Sequence, residues 1–90
     1  MAKKKIFKEV AVEWLEGKRG EIKEMSFSTY ESVLVGVIFP IIGEESINKV
    51  SKKSYMEALE SNLKNSYADE TVYNIMRIVK AVVNFERMVN

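Results

Sequence analysis

The residue types that usually carry acid–base or nucleophilic chemistry are scarce in this chain. None of its 90 residues is a histidine or a cysteine, which removes the commonest general base, the thiolate nucleophile and the commonest metal ligands. Adjacent carboxylates occur at Glu44 and Glu45 in a predicted loop, and Glu57 and Glu60 lie on the outer side of a predicted helix, where burial would not perturb them. The four glycines form no phosphate-binding loop. We therefore expect no catalytic residue, no metal site and no cofactor.

Binding chemistry is concentrated near the C-terminus. Tyr73, Asn74, Arg77, Lys80 and Asn84 mix cations, amides and an aromatic ring at helical spacing. Cations can contact phosphates, while arginine and asparagine can form paired hydrogen bonds to base edges in the major groove. These residues predict contact with nucleic acid, and an ordinary solvent-facing helix surface remains the alternative.

The net charge of +1 hides an uneven distribution of cations. Between Ser26 and Val50 the single basic residue is Lys49, and the other lysines and arginines lie before or after that stretch. A nearly neutral chain with segregated cations predicts weak, strongly salt-dependent binding to a polyanion.

The sequence shows no evident signal for export and no apolar run long enough to span a bilayer. The start, MAKKKIFKEV, has positive charge but lacks the apolar stretch of a signal peptide. The longest apolar run, from Val33 to Ile42, is about half of a bilayer span and is interrupted by Gly36 and Pro40. We expect this run to enter a protein core, with no membrane partner and a cytoplasmic location.

Apolar residues spaced three and four apart predict four helices that position the binding residues. The first lies within residues 6–20, the third within 52–63 after an N-cap at Ser51, and the fourth within 70–89 after an N-cap at Asp69. The sequence shows no internal repeat. We expect an all-α fold in one domain over residues 1–90, a compact four-helix bundle.

The second helix contains the only proline of the chain. Ser26 or Ser28 is predicted to cap its start, since Ser28 and Glu31 have the spacing of a capping box. Its β-branched residues would also suit a buried strand, but the capping signals favour a helix. Pro40 is predicted to end it, because proline donates no backbone hydrogen bond and crowds the preceding turn. Gly43 then lets the chain change direction.

Four stretches carry a family resemblance through their order and spacing: FKEVAVEWLE, SFSTYESVLVGVIFPIIG, INKVSKKSYMEAL and ETVYNIMRIVKAVVNF. Together they resemble the core-binding domain of tyrosine recombinases, the phage-integrase family, a SAM-like helical module that precedes the catalytic domain. The resemblance covers nearly the whole chain, from about residue 7 to residue 85. It implies a SAM-like arrangement of the four predicted helices.

The resemblance also implies a function and its residues. Such domains clamp one face of a recombination-site duplex, with the second and fourth helices presented to the major groove of double-stranded DNA. An N-terminal lysine arm adds positive charge. The residues expected at DNA are Lys3, Lys4 and Lys5 in the arm, Ser26, Ser28, Thr29 and Ser32 in the second helix, and Thr71, Tyr73, Asn74, Arg77 and Lys80 in the fourth.

The family's catalytic arginines, histidine and nucleophilic tyrosine lie on a later domain, and none matches a residue here. We therefore expect this chain to bind DNA without cutting it, to be monomeric in isolation, and to need the catalytic domain as a partner for specific binding.

The alternative is a helical protein–protein interaction module with no DNA role. It would use an exposed apolar patch around Val35, Phe39, Phe85 and Val89.

Overall fold

The computed structural model describes residues 5–89, with side chains up to Met88. In chain order the elements are α1 (Phe7–Lys18), α2 (Glu24–Val33), a π-helical turn (Leu34–Ile38), α3 (Phe39–Ile42), α4 (Ile47–Val50), α5 (Lys53–Lys64) and α6 (Asp69–Val89). Over these residues the only strand-like pairing is a single bridge between Ile6 and Ser46. The prediction of an all-α bundle is confirmed, with the one-turn helix α4 where the sequence predicted a loop.

A single hydrophobic core lies between α6 and the remaining helices. Side chains three and four residues apart on α6 face inward, and each fully buried aliphatic side chain contributes about 1.5–3 kcal/mol. Trp14 of α1 is also in this core, as predicted, with 7% of its surface exposed. The α6 residues buried there are Val72, Ile75, Met76, Ile78, Val79, Val82 and Val83.

The prediction that Pro40 ends the second helix is wrong. α2, the π-helical turn and α3 form one continuous helix of 19 residues, Glu24–Ile42. In the π-helical turn the N–H of Phe39 donates to the carbonyl oxygen of Leu34, five residues back. Pro40 then falls in the first turn of α3, where an α-helix tolerates a missing N–H. The wider turn therefore lets the helix pass through the proline.

The continuous helix Glu24–Ile42 is long and apolar enough to cross a bilayer by length and composition alone. Core helices of soluble proteins meet the same criteria, so this is weak evidence for a membrane segment. One side of the helix is packed in the core through Leu34, Ile38 and Ile42. Its outer side leaves Val35 exposed.

The serine caps predicted for the second helix are also wrong. The helix begins at Glu24, before Ser26 and Ser28. The side chain of its N-cap residue, Lys23, forms no capping hydrogen bond. Glu24 in the first turn is favourable for the helix dipole. This charge and the apolar contacts of the helix are enough to define a start without a serine cap.

The prediction that Ser51 is the N-cap of the third helix is wrong, because Ser51 is the C-cap of α4. Ser51 follows the last residue of α4, and its hydroxyl donates to the carbonyl oxygen of Asn48 at 2.9 Å. α5 begins two residues later, after Lys52, with no side-chain cap. The fourth predicted helix begins at Asp69 itself rather than after it.

The turn after α1 depends on Gly20 and Arg19. Gly20 has φ +86°, the only positive φ among the described residues, as expected for a glycine that ends a helix. The Arg19 guanidinium donates to both carboxylate oxygens of Glu16, at 3.0 and 3.2 Å, and lies 4.7 Å from the ring centre of Phe27. Its hydrogen bonds hold the pKa of Glu16 below the usual value.

Gly43 is required by close packing rather than by its backbone conformation. Its φ of −56° is right-handed, but an added Cβ would lie 2.6 Å from the carbonyl oxygen of Phe39. Here the end of α3 meets the start of α1, because the N–H of Lys8 donates to the Gly43 carbonyl at 3.0 Å. An added side chain would therefore clash with the backbone of its own helix, one turn back at Phe39.

We predict that Gly43→Ala lowers the free energy of unfolding by about 1–3 kcal/mol, the usual effect of forcing extra volume into packed backbone. Urea unfolding followed by the fluorescence of Trp14, the only tryptophan, measures it. Gly17→Ala is the control, since nothing lies within 4 Å of its added Cβ. That helical control should be more stable by about 0.5–1 kcal/mol. Equal effects at both glycines would contradict the close approach at Gly43.

We predict that Pro40→Ala leaves the helical circular dichroism signal unchanged, because the helix already continues to Ile42. The free energy of unfolding should change by no more than about 1 kcal/mol, the range for proline substitutions at compatible positions. A clear gain in helical signal would show instead that Pro40 ends the helix in solution.

Candidate nucleic-acid interface

The outward side of α6 carries most of the predicted binding residues. Tyr73, Arg77, Lys80 and Asn84 are spaced three and four residues apart and are all exposed, so they share one side of the helix as predicted. Tyr73 keeps 68% of its surface accessible. Asn74 is exposed at the edge of this side. We call these five residues the polar face of α6.

The polar face of α6 borders α1 and α2 at Arg77. Arg77 lines a shallow pocket together with Trp14, Lys18 and Tyr30. The Trp14 and Tyr30 rings are 5.4 Å apart at an interplanar angle of 51°, and the Lys18 ammonium lies 5.7 Å from the Trp14 ring centre. The pocket therefore joins two cations to an aromatic floor. Sequence reasoning missed Lys18, although its position four residues after Trp14 on α1 was the available signal.

The four predicted residues of α2 are exposed and spread over nearly half of the helix circumference. Ser26 and Ser28 lie at the two edges of this arc, about 160° apart, with Thr29 and Ser32 between them. Ser28 lies beside Arg19 at the turn after α1. The Thr29 hydroxyl donates to the carbonyl oxygen of Met25 at 2.9 Å. The residues concerned are Ser26, Ser28, Thr29 and Ser32.

Thr71 lies at the edge of the polar face, and only one residue of the lysine arm is described. Thr71 is exposed in the first turn of α6, about 160° around the helix from Tyr73 but only three residues before Asn74, so it is a neighbour of that residue. Lys5 is ion-paired with Glu13, with 3.5 Å between Nζ and Oε2. Lys3 and Lys4 lie outside the described residues, so the geometry of the predicted arm is known only at Lys5.

The charge of α6 changes along its length, from acidic in the first turn to basic farther on. Asp69 and Glu70 lie in its first turn, where they favour the helix dipole but add negative charge near Tyr73. Arg77 and Lys80 form no ion pair with a carboxylate anywhere in residues 5–89. Their charges are therefore available to an anionic ligand.

Other chemistry is not assembled in the described part of the chain. No group of three acidic side chains that could hold a metal ion is present in residues 5–89. Burial raises the pKa of the Tyr55 phenol; the Glu45 carboxylate raises it further, and the Lys49 ammonium opposes that effect. A raised pKa stabilises the neutral phenol, which is opposite to the activation that a nucleophile needs.

The apolar residues of the alternative interaction module do not form one patch. The ring centre of Phe39 lies 6.0 Å from the Lys8 ammonium nitrogen. Phe85 instead lines a separate groove together with Gly17. Lys8 and Gly17 are about 13 Å apart along α1. Val35 is exposed, and the Val89 side chain lies outside the described residues.

Comparison with known proteins identifies the family. Residues 7–86 match the family described as the phage integrase central domain. Neither the curated proteins nor the solved structures gave a match. Because the matched residues cover most of the chain, from α1 to the last turns of α6, the chain belongs to the phage integrase family of tyrosine recombinases and represents its central domain.

Proposed function

We propose that this chain is a core-binding domain that clamps one side of a recombination-site duplex during DNA integration or excision. Family membership supports a role in integrase-type DNA recombination. The observation that carries the finer proposal is the polar face of α6, where two cations that pair with no carboxylate of residues 5–89 lie among amides and an exposed tyrosine.

The proposed contact places α6 in the major groove. The groove is about 12 Å wide and an α-helix with its side chains is about 10–12 Å across, so one helix fills it. Arg77 and Asn74 would bond to base edges, and Lys80 and Lys18 would contact phosphates. Tyr73 would pack its exposed ring against the backbone sugars.

α2 has a supporting part in this proposal. Its exposed hydroxyls are neutral donors, which can orient a phosphate but release no counterions. Ser26 and Thr29 are best placed, because of the four they lie nearest to Tyr30 around the helix and farthest from Ser28 and the turn after α1. Ser28 and Ser32 would contact DNA only if the duplex extends around the outer side of α2.

The domain is proposed to bind DNA without cutting it. The family's catalytic residues would come from a separate domain that grips the opposite face of the duplex. Two linked binding surfaces raise the effective concentration of each at its site, so specificity depends on both. Because its net charge is only +1, the isolated domain should bind DNA weakly. We propose that it is a monomer in isolation, acts in the cytoplasm and has no membrane partner.

The second candidate function is a protein–protein interaction module. Exposed apolar side chains on neighbouring helices favour it, since Val12 of α1, Val35 and Ile41 keep 48%, 59% and 49% of their surfaces accessible. Light scattering with and without a duplex separates the two functions. A stable dimer that is indifferent to DNA would support the interaction module and contradict the clamp.

We predict that Arg77→Ala with Lys80→Ala weakens binding to a fluorescent duplex by at least about tenfold, equivalent to about 1.4 kcal/mol. Both side chains offer charge that no carboxylate in residues 5–89 neutralises. Fluorescence anisotropy at about 50 and 200 mM salt measures the affinity and its salt dependence.

The matched control is Lys8→Ala with Lys64→Ala, which removes the same charge from the first turn of α1 and the last turn of α5. It should weaken binding much less. No binding of the parent chain at low salt, or an equal loss in both double variants, would contradict the proposed interface.

A further inference from the structure

A second group of cations lies where α5 meets the C-terminal half of α6. Lys53 of α5 and Lys80 and Arg87 of α6 line one shallow pocket, with Ser51 and Asn84 between them. Arg87 is directed there by a long hydrogen bond of 3.5 Å from its Nη2 to the carbonyl oxygen of Ser51. We call Lys53, Lys80 and Arg87 the α5–α6 cation patch.

The charges of this patch are not balanced by the fold. None of its three cations forms an ion pair with a carboxylate of residues 5–89. By contrast, Lys64 at the other end of α5 lies 3.9 Å from the Glu60 carboxylate. The patch therefore concentrates positive charge that internal ion pairs leave available.

Lys53 also opposes the stability of its own helix. It is the first residue of α5, after Lys52, and the first turn contains no acidic residue. Positive charge at a helix N-terminus is unfavourable by about 0.3–1 kcal/mol, whereas the same charge at the C-terminus is favourable. Residues that break a local stability rule without compensation are concentrated at functional sites.

The length of α6 relates this patch to a duplex. From Asn74 to Arg87 the helix rises about 20 Å, which exceeds the major-groove width of about 12 Å. If the N-terminal half of the polar face enters the groove, the C-terminal half must extend over the phosphates at its edge. Asp69 and Glu70 make the opposite end of α6 acidic, so the attraction for phosphates is strongest at the patch.

We propose that the α5–α6 cation patch binds the phosphodiester backbone beside the major groove. Because the net charge of the chain is low, much of the affinity for DNA would come from Lys53 and Arg87. This proposal rests on the proposed function, because it assumes that α6 faces DNA. It adds Lys53 of α5, and it adds Arg87, whose spacing of three residues from Asn84 continues the polar face of α6.

The test compares Lys53→Glu with Lys64→Glu, which change the net charge equally at opposite ends of α5. Lys53→Glu should weaken binding to a duplex about tenfold more, since it removes a charge-assisted hydrogen bond and adds repulsion. The slope of log affinity against log salt should become less steep by about 0.9 for each phosphate that the variant no longer neutralises. Arg87→Gln should change the slope in the same direction, and Lys8→Gln should not.

Thermal unfolding gives an independent readout, because Lys53→Glu should raise the melting temperature while it weakens DNA binding. Lys64→Glu should lower the melting temperature, because it removes the ion pair with Glu60 and places an unfavourable charge at the helix C-terminus.

Equal DNA affinities and salt slopes for Lys53→Glu and Lys64→Glu would overturn the proposal. If Arg77→Ala still weakened binding, the failure would be confined to the patch. Absence of any DNA binding at low salt would overturn both.

Discussion

Burial of one side of α6 is the constraint on which the rest of the structure depends. Its apolar residues recur every three or four positions over about three turns, from Val72 to Val83, and pack against α1, α5 and the continuous helix 24–42. Once Val72, Val79 and Val82 are completely enclosed, the orientation of α6 about its axis is fixed. The polar face of α6 is then turned to solvent.

The same constraint explains the π-helical turn. Leu34 and Ile38 must enter the core before Pro40, and Ile42 must enter it afterwards, on the same helix. A helix that ended at Pro40 would leave Ile42 without a fixed place in the core. Widening one turn moves the proline into the first turn of α3 and keeps the helix intact, although the hydrogen-bond pattern becomes less regular.

Periodicity was sufficient to predict the four main helices and the polar face of α6, because both follow from the 3.6-residue repeat. The behaviour of Pro40 was not predictable in this way, since the proline rule describes a regular α-helix and the widened turn is imposed by the core. The predicted serine caps were wrong because α2 begins at Glu24, before Ser26 and Ser28, and Ser51 ends α4 instead of starting α5. The spacing of Trp14 and Lys18 places them together on α1, but the proximity of Lys18 to Arg77 depends on how α1 crosses α6, which that spacing does not determine.

The distribution of charge connects the fold to its role in recombination. Carboxylates neutralise Lys5, Arg19, Lys49 and Lys64 within the described residues, whereas Arg77, Lys80 and Arg87 on α6 have no such partner. A chain with a net charge of +1 can still present a cationic strip if its ion pairs lie elsewhere. Under the proposed function, such a strip would attract a duplex weakly, and a second, linked domain would raise the affinity of the pair.

The most direct test of this account is a titration of the isotopically labelled chain with a duplex at low salt, followed by amide NMR shifts. The account predicts the largest shifts at Tyr73, Asn74, Arg77 and Lys80, extending to Lys18 across the pocket. Shifts confined to the exposed apolar residues Val12, Val35 and Ile41, or no shifts at all, would contradict it.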